Sequence, residues 1–251
     1  MNSRVLNLER PLVLAHRMMI SGVPENTVLA LENAIENHVD WIEFDVKVLT
    51  DGEMVSMHDE LVDRTTNGYG SITQMTLPEV KKLNAGKGYS FGFVPVPTVE
   101  EIIQVIAKCP YPLKAEMHIH NLWEPESLIE LLRKYNVQDR CYFNLNAVIM
   151  GEYMRKDLKD NESLISLNAQ GESDELKQLC NDLDMSYLCI PFRYLNSGFV
   201  EKIHNYRKNN PVFVHSYPVN TEKQWQELLD MGVDVIQTDF PEALQEFLNI
   251  E

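Results

Sequence analysis

The chain has 251 residues, 44% of them hydrophobic and 24% charged, and a formal net charge of −16. The length suits one domain of barrel size, roughly 250 residues. The acidic surplus argues against duplex nucleic acid and anionic membrane surfaces as partners, since no basic excess exists to meet phosphates.

An anionic small molecule remains compatible, provided that a bound cation or a few local cations make one pocket positive. No stretch approaches the ~20 apolar residues of a membrane span. The segment from Met1 to Arg17 carries Arg4, Glu9 and Arg10 without a continuous apolar run, so it lacks a signal-peptide pattern. Cys109, Cys141, Cys180 and Cys189 form no CxxC pair and have apolar neighbours, as buried reduced thiols do. The expected location is the cytoplasm. The sequence leaves the oligomeric state open.

In chain order, Pro11 to His16 reads as a buried strand. Glu25-Asn26-Thr27 supplies helix-cap chemistry, and Leu29 to Asn37 has helical spacing. Trp41 to Val46 is the second strand. Further strands are expected at 113–118, 141–145, 164–167, 187–190, 212–215 and 235–238. Helical patterns at 99–107, 126–135, 146–156, 174–181, 198–207, 222–231 and 241–248 separate and follow them. Eight strands each followed by a helix imply parallel strands with right-handed crossovers. In this length the expected fold is a single α/β (β/α)8 TIM barrel over residues 1–251.

One interval breaks the rhythm. About fifty residues, Lys47 to Pro97, part the second strand from its helix, where βα loops usually have 2–6. Asp51-Gly52 signals a hairpin with Met54 to His58 as the return strand, and Leu77 to Leu83 reads as a short helix. The interval is expected to be a small subdomain over the C-terminal ends of the strands. Its aromatic cluster, Tyr89, Phe91 and Phe93 with Val94, is expected to pack it onto the barrel.

Barrel chemistry sits where strands end. The first strand ends in His16-Arg17. The second carries Glu43 and Asp45 at i and i+2, on one face. The third carries Glu116, His118 and His120 at alternate positions, and the interval adds His58-Asp59. Buried carboxylates are paired, protonated or bound to metal. Glu43, Asp45 and Glu116 converge from neighbouring strands, and such hard oxygen donors suit Mg2+ or Ca2+; pairing with Arg17 or Arg64 is the alternative. His16 and His58 are candidates for general base and acid, because imidazole titrates near neutral pH; backbone-bonded structural histidines are the alternative. Trp123 is a candidate lining residue, Arg193 a candidate phosphate contact, and Trp41 and Trp225 read as packing.

His16-Arg17, Pro24-Glu25-Asn26-Thr27, Glu43-x-Asp45-Val46, Thr50-Asp51-Gly52, His58-Asp59 and Arg64-Thr65-Thr66-x-Gly68 occur in order at close spacing. Val219-Asn220, Gly232-Val233-Asp234 and Thr238-Asp239-Phe240-Pro241 follow near the C-terminus. This ordered set resembles the glycerophosphodiester phosphodiesterase family, over about residues 12–248. The resemblance implies a barrel with an insertion after the second strand and hydrolysis of glycerophosphodiesters to glycerol 3-phosphate and an alcohol. It places Glu43, Asp45 and Glu116 on the family's metal ligands, for Mg2+ or Ca2+. His16 and His58 fall on its acid–base pair, with His16 preferred as base, and Arg17 on a phosphate-binding arginine.

Three positions depart from the family pattern. Met18 stands where a glycine is usual and would crowd the phosphate unless its side chain turns away. His118 stands where a lysine is usual, giving a partial charge in place of a fixed one. Tyr217-Pro218 replaces Trp-Thr, with Tyr217 as an apolar wall for the substrate. The sequence also admits a related activity on a lipid-derived diester, of lysophospholipase D type, for which an exposed apolar rim on the insertion would be the mark. A barrel that binds without turnover is a further reading, supported only by Met18 and His118.

Overall fold

The structure, a computed structural model, describes residues 10–121, 124–207 and 211–250. The chain divides into two compact units, Ala15–Cys141 and Met1–Leu14 with Tyr142–Glu251.

In Ala15–Cys141, α1 (Val28–Glu36) starts at Thr27, whose hydroxyl accepts from the Ala30 amide at 3.0 Å. β2 (Trp41–Val48) is buried along nearly its whole length, and β4 (Lys114–Ile119) pairs with it in parallel. α3 (Val99–Lys108) crosses between them. It opens on a capping box, Thr98 with Glu101, and buries Val99, Ile102, Ile103 and Ile106 on one face. α4 (Glu126–Tyr135) follows β4.

The interval between β2 and α3 has a core of its own. β3 (Met54–Val55) pairs antiparallel with β2 through the Asp51-Gly52 turn, where Gly52 has φ +86°. The return strand is shorter than the sequence predicts, because Ser56 turns its amide to the Pro97 carbonyl at 3.0 Å and leaves the β2 ladder. The short helix also ends early, α2 (Leu77–Val80). Leu49, Val55, Met57, Val62, Ile72, Val80, Leu83 and Val96 pack together as a buried cluster. The aromatic cluster behaves otherwise than expected: Val94 is buried, but Tyr89, Phe91 and Phe93 are 43%, 47% and 59% exposed. Val94 takes the inward position and lies against Gly86.

In the other unit, β5 (Cys141–Leu145), β6 (Leu164–Asn168), β7 (Tyr187–Pro191), β8 (Phe213–Tyr217) and β9 (Val235–Thr238) pair successively in parallel. Between them lie α5 (Val148–Glu152), α6 (Asp174–Asp182), α7 (Ser197–His204) and α8 (Glu222–Met231), with α9 (Pro241–Phe247) last. The helix expected at 146–156 starts later and continues as a π turn over Tyr153–Asp157, where Arg155 donates to the carbonyls of Asp160, Ser163 and Leu183. Trp41 and Trp225 are buried as predicted. Arg193 stacks over the Tyr194 ring at 4.7 Å.

The strand order is β1 (Leu12–Ala15), β9, β8, β7, β6, β5, β4, β2, β3, with β1 also paired to β2. Eight parallel strands closed in this order, with helices between them, make the (β/α)8 TIM barrel. All four cysteines are buried and none is in a disulfide. Among the described residues no helix is long and apolar enough to cross a membrane.

Candidate active site

The predicted site residues lie in Ala15–Cys141, except for Tyr217 and Arg193. The register of β2 on β4 sets Glu43 opposite Glu116 and Asp45 opposite His118. The three carboxylates are at most 2% exposed. Glu43 Oε2 accepts from the Arg17 amide at 2.8 Å, while Glu43 Oε1 is buried with no hydrogen-bond partner. Burial and the neighbouring Asp45 charge push the Glu43 carboxyl above the usual carboxylate range. An oxygen left so, beside two more buried carboxylates, would be satisfied by a proton or by a divalent cation, for which oxygen donors are suitable ligands.

Asp45 is held on both oxygens. Asn26 Nδ2 donates to Oδ2 at 2.7 Å, and His120 Nε2 lies 2.6 Å from Oδ1, with His118 Nδ1 at 3.7 Å. Burial pushes the Asp45 carboxyl up, but the His120 bond and charge outweigh it and hold the group at about 2. Asn26 Oδ1 accepts from the Asp45 amide at 3.1 Å and from Ser56 Oγ at 2.8 Å. Asn26 is thus not the helix cap; it braces Asp45, and Thr27 caps α1. Asp45, His118 and His120 also present ligand atoms that all lie within 4.8 Å of one another, a group able to hold a metal ion.

His16-Arg17-Met18 forms a tight turn after β1, with Arg17 at φ +53° and Met18 at φ +58°. This conformation aims the Arg17 amide at Glu43. Met18 is wholly buried, so its side chain lies in the core, not in solvent-accessible space. Arg17 Nε donates to His16 Nε2 at 3.3 Å, and its Nη1 lies 2.9 Å from Glu25 Oε1.

From Glu25 a chain of ion pairs runs to the second catalytic candidate. Arg64 clasps Glu25 with both terminal nitrogens at 2.8 and 2.7 Å, and its Nε donates to Asp59 at 2.5 Å. Asp59 Oδ1 lies 2.7 Å from His58 Nδ1. The Arg64 bond holds the Asp59 carboxyl well below the usual range. Burial raises Glu25, yet its two arginines bring it below its ordinary value. A carboxylate only accepts, so Nδ1 of His58 carries hydrogen. The His58 ring meets His120 edge-on at 5.6 Å between centroids.

Sequence reasoning singled out the ends of this chain and missed its middle. Glu25, Asp59 and Arg64 stood inside the ordered motifs, but no local pattern ties residues 39 apart. Lys47 was also passed over. It follows Asp45 by two on the same face of β2 and is buried, with Glu60 at 4.0 Å. Tyr217 ends β8 in the other unit, its ring 5.9 Å from that of His215. In that unit Asn220, from the C-terminal motif, accepts from Thr238 and the Asp239 amide and donates to Asp239 at 2.6 Å. Trp123 lies outside the described residues.

A model of the glycerophosphoryl diester phosphodiesterase family matches residues 16–243. A glycerophosphodiester phosphodiesterase of Caldanaerobacter subterraneus subsp. tengcongensis is 32% identical over 241 residues, covering 94% of this chain and 96% of its own. One from Bacillus subtilis is 29% identical over 254 residues, covering 95% and 86%. Among solved structures, an Oleispira antarctica phosphodiesterase in complex with the product sn-glycerol-3-phosphate superposes with a TM-score of 0.83 at 25% identity, over 96% of this chain and 97% of its own. A glycerophosphodiester phosphodiesterase of Agrobacterium tumefaciens shares the fold at a TM-score of 0.76 and 21% identity, over 94% and 99%. With its barrel and its ordered motifs matched nearly end to end, the chain belongs to the glycerophosphoryl diester phosphodiesterase family and is a phosphoric diester hydrolase.

Proposed function

We propose that this enzyme hydrolyses glycerophosphodiesters to glycerol 3-phosphate and an alcohol, with a divalent cation, Mg2+ or Ca2+, among Glu43, Asp45 and Glu116. The observation that carries the reading is the unpartnered Glu43 oxygen in that buried carboxylate cluster. When bound, such a cation offsets negative charge on the phosphoryl oxygens. Arg17 adds a fixed positive charge at the same place, where charge develops as the diester is attacked.

His16 is the base and His58 the acid. His16 Nε2 lies 3.3 Å from Arg17 Nε, which sets the ring beside the proposed phosphate-binding cation. His58 presents Nδ1 to the Asp59 carboxylate at 2.7 Å, which orients the ring and leaves Nε2 as the nitrogen that would hand a proton to the leaving alkoxide. The nucleophile is water or the substrate's own 2-hydroxyl. His118 donates a hydrogen bond to phosphate in place of a lysine, and Tyr217 walls the substrate. The four buried thiols support a cytoplasmic setting.

Release of glycerol 3-phosphate from glycerophosphocholine tests the proposal. His16→Ala and His58→Ala should each lower kcat at least ~100-fold, and the double variant should be little worse. Chelator should abolish turnover and Mg2+ or Ca2+ restore it. Full activity in excess chelator, or near-normal turnover of either variant, would overturn the reading.

The exposed aromatics favour a second reading, a diester that keeps an acyl chain. Phe91 and Phe93 line a cleft of 560 Å3 with Val28, Leu29, Pro97 and Val105. Val28 follows Asn26, the brace of Asp45, by two residues. A kcat/KM for lysophosphatidylcholine above that for glycerophosphocholine, lost in F91S/F93S, would favour this substrate class.

A further inference from the structure

The two imidazoles beside Asp45 are not needed by a three-carboxylate cation site. His118 lies in β4 directly opposite Asp45, and His120 follows two residues on, so both rings emerge on one side. Their centroids are 4.5 Å apart. Asp45 Oδ1 is the oxygen turned to them, at 2.6 Å from His120 and 3.7 Å from His118, while Oδ2 is occupied by Asn26. An ion with ligands at ~2.0–2.2 Å needs donor atoms roughly 3–3.5 Å apart by that geometry, so donors within 4.8 Å reach it through small side-chain movements.

The surroundings hold these donors in place. Asn26 clamps Asp45 from its amide and its side chain. The His120 amide donates to the Val46 carbonyl at 3.3 Å, and Asn121 pins Val48 through both amide and carbonyl, at 2.9 and 3.1 Å. The turn after β4 is therefore fastened to β2 on either side of the histidine pair. Ligands supported in this way bind metal without first having to be ordered.

The donor set decides the ion. Carboxylate oxygen suits Mg2+ and Ca2+, whereas imidazole nitrogen suits Zn2+ and its transition-metal neighbours. We propose that Asp45, His118 and His120 form a cation site that selects a borderline divalent ion of the Zn2+ class over Mg2+ and Ca2+. The inference rests on the diesterase reading for the use of the ion, not for its binding.

The test is a titration of chelator-stripped full-length protein with Co2+, in excess Mg2+, followed by visible absorption and equilibrium dialysis. One Co2+ should bind per chain and be displaced by Zn2+. His118→Ala and His120→Ala should each weaken binding by about 100-fold or more, with His120→Asn as a milder replacement. Glu43→Gln and Glu116→Gln should leave it within a few-fold. No Co2+ uptake in excess Mg2+ would overturn the inference. So would uptake that ignores both histidines, or that falls as far in Glu116→Gln as in His118→Ala. Glycerophosphocholine hydrolysis in the same preparations separates the two readings. Turnover with Mg2+ but no Co2+ binding sinks this site and leaves the diesterase. Histidine-dependent Co2+ binding without turnover by any ion does the reverse.

Discussion

Asp59→Asn is the sharpest probe of the acid. In the native site Arg64 Nε donates to one oxygen of Asp59, and the other faces His58 Nδ1 at 2.7 Å. An asparagine has one oxygen, and guanidinium has only donors. Arg64 therefore keeps that oxygen, and the amide NH2 turns to His58. Nδ1 must then accept, so the ring cannot carry hydrogen on both nitrogens against that amide, and giving up the Nε2 hydrogen would leave an imidazolate. Loss of a charge-assisted bond alone costs about 1.5–3 kcal/mol, or roughly 10–150-fold at ~1.4 kcal/mol per decade. Loss of effective general-acid catalysis, typically worth ~10²–10⁴-fold, extends this further. The expected fall in kcat is at least ~100-fold, with KM changed much less. Asp59→Ala should be no worse, because water can accept from Nδ1 once the amide is gone. Steady-state glycerol 3-phosphate release measures both variants, with thermal melts to confirm folding. Turnover of Asp59→Asn within ~3-fold of wild type would refute the argument, as would Asp59→Ala falling clearly below it.

Three further outcomes follow from other contacts. Asn26→Ala should destabilise the fold by about 1–3 kcal/mol in urea and weaken cation binding, since it strips partners from buried Asp45 and Ser56. Met18→Gly relieves a left-handed residue by about 1–2 kcal/mol but loses a buried side chain worth about 2–5; denaturant midpoints should therefore fall, yet not below those of Met18→Ala, which keeps the strain. His204 lies 2.7 Å from Asp234, whose bond outweighs burial and raises the imidazole above 6.5. Its contribution is complete below pH 6.5 and fades as pH rises through the folded-state value, so His204→Asn should cost more stability at pH 6 than at pH 9.

How far the sequence could be read depended on the range of the signal. Glu43 and Asp45, and Glu116 and His118, announced themselves because strand alternation places polar residues on a face that should be apolar. The ion-pair chain was hidden because Glu25 and Arg64 meet only through the turn after β1 and the folded interval. Glu25-Asn26-Thr27 reads as cap composition and Thr27 is the cap, but the bracing role of Asn26 appears only in the folded chain. The exposed aromatics were misjudged for a related reason. Sequence shows that residues 89–94 are rich in hydrophobic side chains, but not that Val94 alone turns inward while Tyr89, Phe91 and Phe93 stay exposed.

The interval between β2 and α3 has a physical role that its length alone does not reveal. A structureless loop of about fifty residues would leave His58 and Asp59 free to wander, and acid catalysis tolerates only about 0.5 Å of misplacement. Two things remove that freedom. The interval buries its own apolar cluster around Ile72, Val62 and Val55, each wholly buried, so it is a packed body, not a lid. It is then fastened to the turn after β1 by Ser56 on Asn26 and Arg64 on Glu25. Both fastenings end on residues that also hold the reacting groups, Asn26 on Asp45 and Glu25 on Arg17. The position of His58, the proposed acid, is thereby referred to the carboxylate cluster and to Arg17 directly, through a few bonds, and not through the length of the loop.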